Sequence, residues 1–366
     1  MGGDVTRPPL ARIPPQVAAL ADYEALARDH MSEAAWAYFA GGSADEWTLR
    51  ENLAAFERLP LRPRVLRAMT DASTRVTLFG TELAAPILLA PVAFQKRAHP
   101  DGELASVAAA GALDTAMVVS TQASTSLETI ASAAAAPLWF QLYIQPDRDF
   151  TEALVRRAVQ AGYRALVVTV DAPVTGLRNR EQRAGSTFPP GIDAVNLTGM
   201  RPLPPTPPEA LVFGTPLMAS APTWKDLEWL RGLTRLPILV KGIADPADAR
   251  HALDVGADGI VVSNHGGRAL DGTPAAIALL APVVEAVAGA APVLMDGGIR
   301  RGADVLRALA LGAAAVLIGR PYVFALAAAG APGVAHVLRI LRAELELAMA
   351  LTGCADVRAI DRSVLA

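Results

Sequence analysis

From Pro86 onward the chain repeats one unit: a short run of Val, Ile and Leu, a loop, then an Ala-rich amphipathic stretch of helical length. That alternation predicts parallel strands joined by crossover helices. The apolar runs fall near Ile87–Ala90, Met117–Ser120, Trp139–Tyr143, Ala165–Val170, Ile238–Lys241, Gly259–Val262, Val293–Met295 and Ala315–Ile318. They lack polar alternation, which is the pattern of strands covered on both faces. Eight such strands predict an α/β fold, a closed (β/α)8 TIM barrel wrapped by helices. Length alone would allow one barrel or two smaller domains; the regular repeat selects a single domain over 1–366.

Two stretches depart from the repeat. Tyr23 to Phe39 reads as one or two helices stopped at Gly41-Gly42, glycines suited to the left-handed backbone that ends a helix. They open an N-terminal helical extension over 20–85, preceded by an extended, loose lead-in containing Pro8, Pro9, Pro14 and Pro15. Between the fourth and fifth strands the spacing is abnormally long and rich in proline, including Pro189, Pro190, Pro202, Pro204 and Pro205. This insertion, 175–223, starts where a barrel active site forms, so it is expected to act as a lid.

Composition narrows the partners. A formal net charge of −3 argues against nucleic acid, whose binders carry a basic excess. Cys354 is the sole cysteine, so neither an internal disulfide nor a thiolate metal cluster can form, and a reducing cytoplasm fits. The N-terminus has no apolar signal core, and the match of Gly2 and Thr6 to a myristoylation pattern is too short to carry weight. The most membrane-like stretch, Ala276 to Met295, is interrupted by Pro282, Glu285, Gly289 and Pro292, so it reads as a buried helix followed by a buried strand. No membrane association and no bound metal are expected; the partners are small molecules.

In a barrel the site forms at the C-terminal strand ends, and here those positions are polar: Ala93, Ser120, Gln141 with Tyr143, Thr169 with Asp171, Lys241, Ser263 with His265 and Arg268, Asp296 with Arg300, and Gly319-Arg320. Asp296-Gly297-Gly298-Ile299-Arg300 and Gly319-Arg320 follow the last two strands, where backbone N–H groups and guanidiniums bind phosphate in barrels. No G-x-G-x-x-G opens a helix after a strand, which favours a phosphate-bearing cofactor other than a nicotinamide. Lys241 would point into the barrel mouth, toward a ligand anion or a structural Asp partner. Ser263-Asn264-His265-Gly266-Gly267-Arg268 is the densest chemical cluster: His265 suits a general base, and Asp171 could orient it. Arg268 and Arg178 could clamp a carboxylate.

These motifs, together with Leu239-Val240-Lys241-Gly242 and Phe140-Gln141-Leu142-Tyr143, resemble the FMN-dependent L-2-hydroxy acid oxidases and dehydrogenases, a family that includes glycolate oxidase, lactate oxidase and mandelate dehydrogenase. The resemblance runs from about Tyr23 to Cys354. It implies oxidation of a small L-2-hydroxy acid to a 2-oxo acid, with FMN as cofactor, O2 as acceptor giving H2O2, and a homotetramer. His265 then resembles the base that takes a proton from substrate while electrons pass to the flavin, and Asp171 its partner. Arg178 and Arg268 resemble the carboxylate clamp, Tyr38 and Tyr143 the phenols that bind carboxylate and hydroxyl. Pro91, Val92, Ala93, Ser120, Gln141, Thr169, Lys241 and Ser263 resemble flavin-ring and ribityl contacts, and Asp296 to Arg300 with Gly319 and Arg320 the phosphate site. Gln122 stands where glycolate oxidase has tryptophan, and Thr175 where it has leucine, which leaves the reaction but not the assignment to glycolate. Same-family dehydrogenases that use a quinone or cytochrome are the first alternative; Ala93 resembles the oxidases rather than relatives with glycine there. A flavin- or phosphate-binding barrel of other chemistry is the second.

Overall fold

The computed structural model describes residues 6–185 and 189–366, so Gly2 and positions 186–188 of the insertion lie outside the described residues. Eight strands close a parallel barrel: β3 (Ile87–Leu89), β4 (Met117–Ser120), β5 (Leu138–Leu142), β6 (Leu166–Thr169), β7 (Ile238–Ile243), β8 (Gly259–Val262), β9 (Val293–Asp296) and β10 (Ala315–Ile318). They pair in chain order, and β10 returns to β3 with Val316 opposite Ile87. Every apolar run of the sequence is one of these strands.

The unbroken apolar runs follow from having two dry faces. Alternate residues Leu88, Val118, Trp139, Val167, Leu239, Val261, Leu294 and Leu317 fill the barrel interior. Their neighbours, such as Ile87, Val119, Phe140, Val168 and Ile260, pack outward in the core shared with the helices. Both sets leave water, so neither position of the two-residue period tolerates polarity except at the strand ends.

The segment 20–85 is not wholly helical, in contrast to its sequence reading. After helices Leu20–His30, Glu33–Ala40 and Trp47–Glu57 comes an antiparallel hairpin, β1 (Val76–Leu78) and β2 (Thr81–Leu83). Leu78 and Leu83 join the interior cluster, and the Phe79 ring meets Trp139 edge-on at 5.7 Å. The hairpin thus plugs the N-terminal end of the barrel, opposite the polar strand ends. Strands of three residues carry too little periodicity to be read from sequence.

The expectation for Gly41-Gly42 also needs correction. Gly41 is extended, with φ −66° and ψ 151°. A Cβ on Gly41 would lie 2.4 Å from the Ala37 carbonyl oxygen, and one on Gly42 3.0 Å from that of Gly267. Close approach, not handedness, requires these glycines. Nor is the proline-rich lead-in loose from Thr6 onward: Arg7 N–H donates to the Asp29 carbonyl at 3.0 Å and Leu10 N–H to that of Ala328 at 2.7 Å.

Ala276–Val287 is a helix and β9 follows it, as expected. Among the described residues the stretch long and apolar enough to span a membrane is instead Arg320–Thr352, and 67% of its most apolar window is buried inside the protein. Non-helical geometry at Ala329 and Gly330 breaks it into two helices. It packs against Leu20–His30, Gly102–Ala112 and Gly302–Ala310. The insertion carries short helices Asn179–Arg183 and Pro216–Ala219, and it forms one side of the barrel mouth.

Candidate active site

A cavity of about 800 Å³ opens at the C-terminal ends of the strands. Its wall takes Pro91, Val92 and Ala93 from the loop after β3, Ser120 from β4 and Gln122 just beyond it, Gln141 from β5 and Tyr143 just beyond it, Thr169 from β6 and Lys241 from β7. His265 and Arg268 follow β8, the segment Asp296, Gly297, Gly298, Ile299 and Arg300 ends β9, and Gly319 and Arg320 end β10. Tyr38 enters from the N-terminal helices, Thr175 and Arg178 from the insertion. Two residues expected at the site, Asp171 and Ser263, stand behind this wall and act through neighbours.

His265 is held in a left-handed conformation, φ 57°, unusual for a residue with a Cβ. Its backbone N–H donates to Ser263 Oγ at 3.0 Å, and its Nδ1–H donates to Asp171 Oδ1 at 2.8 Å. Nε2 is therefore the ring nitrogen free to act as base. Burial pushes the Asp171 carboxyl up, but the charges of His265 and Lys241 outweigh it and hold the group below its ordinary range. The place of Asp171 requires glycine at 242: a Cβ on Gly242, at φ 107°, would sit 2.5 Å from the Asp171 Cβ. The loop beyond is tied down by a reciprocal amide pair, Asn52 with Asn264, each donating to the other at 2.9 Å.

Opposite stands a cationic group. Arg268 Nη1 donates to the Gly41 carbonyl at 2.9 Å, and its guanidinium lies over the Tyr38 ring at 5.0 Å. Arg178 Nη1 is buried with no hydrogen-bond partner among the described residues, a donor awaiting an acceptor. Burial and then the nearby Arg268 charge lower the Arg178 pKa to about 10. Burial raises the Tyr143 phenol to about 12 and raises Tyr38 too, so both stay protonated donors at neutral pH. Sequence reading missed two members of this group: Arg97, whose guanidinium lies 4.6 Å from the Tyr38 ring centroid, and Glu181, placed between Arg178 and Arg268. The spacing of Glu181, three residues after Arg178, was the available signal.

On the barrel axis Lys241 is buried, its Nζ donating to Ser263 Oγ at 3.0 Å and pairing with Asp296 Oδ2 at 3.1 Å. Burial disfavours its charge, but Asp296 and Asp171 more than restore it and raise its pKa. The protein anion that sequence reading left open is thus Asp296, whose carboxylate is engaged by Lys241 at the cavity floor. Arg320 directs three of its donors to backbone carbonyls of Phe39, Gly266 and Gly41 at 3.0, 2.8 and 2.8 Å. A guanidinium has five N–H groups, so donors remain for an anion. Arg300 and Arg301 backbone N–H groups are taken by Asp304 Oδ2. A Cβ on Gly298 would overlap the Asn52 carbonyl oxygen at 2.0 Å, so this turn must be glycine.

The family model described as FMN-dependent dehydrogenase matches residues 27–366. The chain belongs to this family. It is 48% identical over 354 residues to the L-lactate oxidase of Nostoc sp., covering 94% of this chain and 97% of that protein. Glycolate oxidase of Spinacia oleracea is 45% identical over 350 residues, covering 94% of each. A solved structure of mandelate oxidase with 3,3-difluoro-2-hydroxy-3-phenylpropionic acid has a TM-score of 0.86 at 45% identity, covering 94% of this chain and 98% of that one.

FMN is the cofactor of this family, and the residues present fit it. Gln141 Nε2, Thr169 Oγ1 and Asp296 Oδ1 are buried at the strand ends without hydrogen-bond partners among the described residues. Such groups cost free energy unless a polar ligand satisfies them. The glycine turn of Asp296–Arg300, Arg320 and the N-terminus of the helix that starts there suit a phosphate.

Proposed function

We propose that this protein oxidises a small L-2-hydroxy acid to the 2-oxo acid, with FMN as cofactor and O2 as acceptor. The observation that carries the reading is His265, paired to Asp171 at 2.8 Å, in the same cavity as Arg178, Arg268 and two protonated phenols. A carboxylate clamp beside a base is what oxidation next to a carboxylate requires.

The alcohol loses two electrons and two protons; O2 takes up both pairs and leaves as H2O2. FMN, when bound, supplies the two-electron acceptor between them. Arg178 and Arg268 hold the substrate carboxylate, and Tyr38 and Tyr143 donate hydrogen bonds to carboxylate and hydroxyl. His265 Nε2 takes a proton as the carbonyl forms, and the ionised Asp171 stabilises the resulting imidazolium. Lys241 places positive charge at the cavity floor, where charge on a reduced ring would need it; Pro91, Val92 and Ala93 offer an apolar face, and Ser120, Gln141 and Thr169 polar contacts, while Ser263 holds Lys241 and the His265 backbone in place. The test is direct. The purified protein should be yellow, release FMN on denaturation, be bleached anaerobically by a 2-hydroxy acid, and regain colour in air with formation of H2O2. A reduced form that persists in air but is reoxidised by an artificial quinone would make the chain a dehydrogenase.

Two wider features belong to the same proposal. Residence in a reducing cytoplasm rests on the sole cysteine, Cys354, and cell fractionation checks it. A homotetramer rests on the family resemblance, and light scattering of the purified protein checks it.

A further inference from the structure

Glu181 puts a carboxylate inside the anion clamp. It lines the cavity, and its Oε1 lies 3.6 Å from Arg178 Nε and 3.8 Å from Arg268 Nη2. Those distances are ion pairs, not hydrogen bonds, and Oε1 is buried with no hydrogen-bond partner among the described residues. The side chain is not there by accident of a loose loop. Its helix, Asn179–Arg183, is moored to the segment 44–46: Asn179 Nδ2 donates to the Ala44 carbonyl at 3.2 Å, Ala44 N–H donates to the Leu177 carbonyl at 2.9 Å, and Arg180 pairs with Glu46.

The charges facing this carboxylate explain what it could do. Arg97, Arg178 and Arg268 converge around Tyr38, and a group of three like charges with little water repels itself. One fixed carboxylate reduces that repulsion. Because it makes no hydrogen bond to either clamp arginine, it leaves Arg178 Nη1, which has no partner among the described residues, open to an incoming carboxylate. A bidentate hydrogen-bonded anion outcompetes a loosely apposed one.

We propose that Glu181 is a positioning residue that acts as a built-in weak competitor in the clamp: it holds Arg178 and Arg268 in place between turnovers and limits how tightly substrate and product carboxylates bind. The inference rests on the proposed hydroxy-acid reading of the same cavity. It predicts a sign opposite to that of a merely structural residue, whose loss disorders the clamp and weakens anion binding.

The experiment titrates the resting yellow holoenzyme with oxalate, a non-reacting dicarboxylate, and follows the flavin absorbance change, for the parent, Glu181→Gln and Glu181→Asp. Removal of one nearby negative charge should tighten oxalate by about 5-fold or more in Glu181→Gln, while Glu181→Asp, which keeps the charge, stays within about 2-fold of the parent. Steady-state kinetics should show KM and kcat of Glu181→Gln falling together, because the product carboxylate is also held longer. Unchanged or weaker oxalate binding in a Glu181→Gln protein that retains flavin overturns the inference. Equal tightening in both variants also overturns it, since charge would then not be the cause. If the parent is bleached by no hydroxy acid, the functional reading fails instead, independently of how the variants rank.

Discussion

His265 shows how one residue's chemistry depends on several others. Its strained backbone is held by Ser263 Oγ and its ring by Asp171. His265→Gln keeps a polar side chain but removes the base, so flavin should stay bound while anaerobic reduction slows by about 10²–10⁴-fold. Stopped-flow absorbance checks this, and near-parent reduction rates would refute the assigned role. Lys241 makes a different prediction. Its loss in Lys241→Met strands the buried Asp296 carboxylate, a change that typically costs about 3–5 kcal/mol. Denaturant unfolding should reveal that loss, and parent-like stability would mean Asp296 finds another partner. Gln122 and Thr175 both line the cavity, so the departures from glycolate oxidase lie where they can touch substrate. Gln122→Trp should shift kcat/KM toward the smallest 2-hydroxy acids relative to aromatic or polar ones, because a bulky ring fills the space and an amide facing the cavity is removed. An unchanged ranking across glycolate, lactate, aliphatic and aromatic acids would remove Gln122 from the specificity determinants.

At the scale of elements, the loop carrying His265 and Arg268 is stapled to the helix Trp47–Glu57. Glu46 precedes that helix but provides no side-chain cap; Asp271, from the catalytic loop, provides it instead. Its carboxylate accepts from Thr48 N–H at 2.8 Å, Asp45 N–H at 3.1 Å and Trp47 N–H at 3.2 Å. Although burial pushes the other way, these bonds hold the Asp271 carboxyl below its ordinary range. A carboxylate with a lowered folded pKa stabilises the fold above its unfolded value, near 4 (~3.9), and that contribution disappears as pH falls through the folded value. Asp271→Ala should therefore cost about 1 kcal/mol at neutral pH and progressively less below about pH 4. Unfolding titrations at both pH values decide it; a gap that persists in acid would assign the loss to packing. None of this was legible in sequence, since cap and helix are separated by more than two hundred positions. The N-cap serine of Glu33–Ala40, Ser32, is by contrast local, its Oγ accepting from Ala35 N–H at 3.1 Å.

For the whole molecule, legibility followed locality. The barrel strands were readable because each is a short run dry on both faces, and the site because a barrel gathers strand ends without regard to sequence distance. What was hidden needed three dimensions: the hairpin that plugs the barrel, the Asn52–Asn264 clasp, and Glu181 beside Arg268. Assembly poses the same problem on the outer surface. Val65, Leu66, Leu347 and Leu351 are exposed at 80%, 101%, 61% and 60%. Arg64 N–H donates to the Leu351 carbonyl at 2.9 Å, which brings the first two toward the end of the long helix that bears the others. A cluster of exposed aliphatic side chains is a feature of association surfaces. If the homotetramer forms through this patch, light scattering of the parent should give four chains. Leu66→Glu combined with Leu351→Glu should then yield a smaller species that keeps its FMN, because introduced like charges facing each other oppose association without entering the barrel. A monomeric parent would sink the tetramer, whereas a double variant that still scatters as four chains would place the contact elsewhere on the molecule.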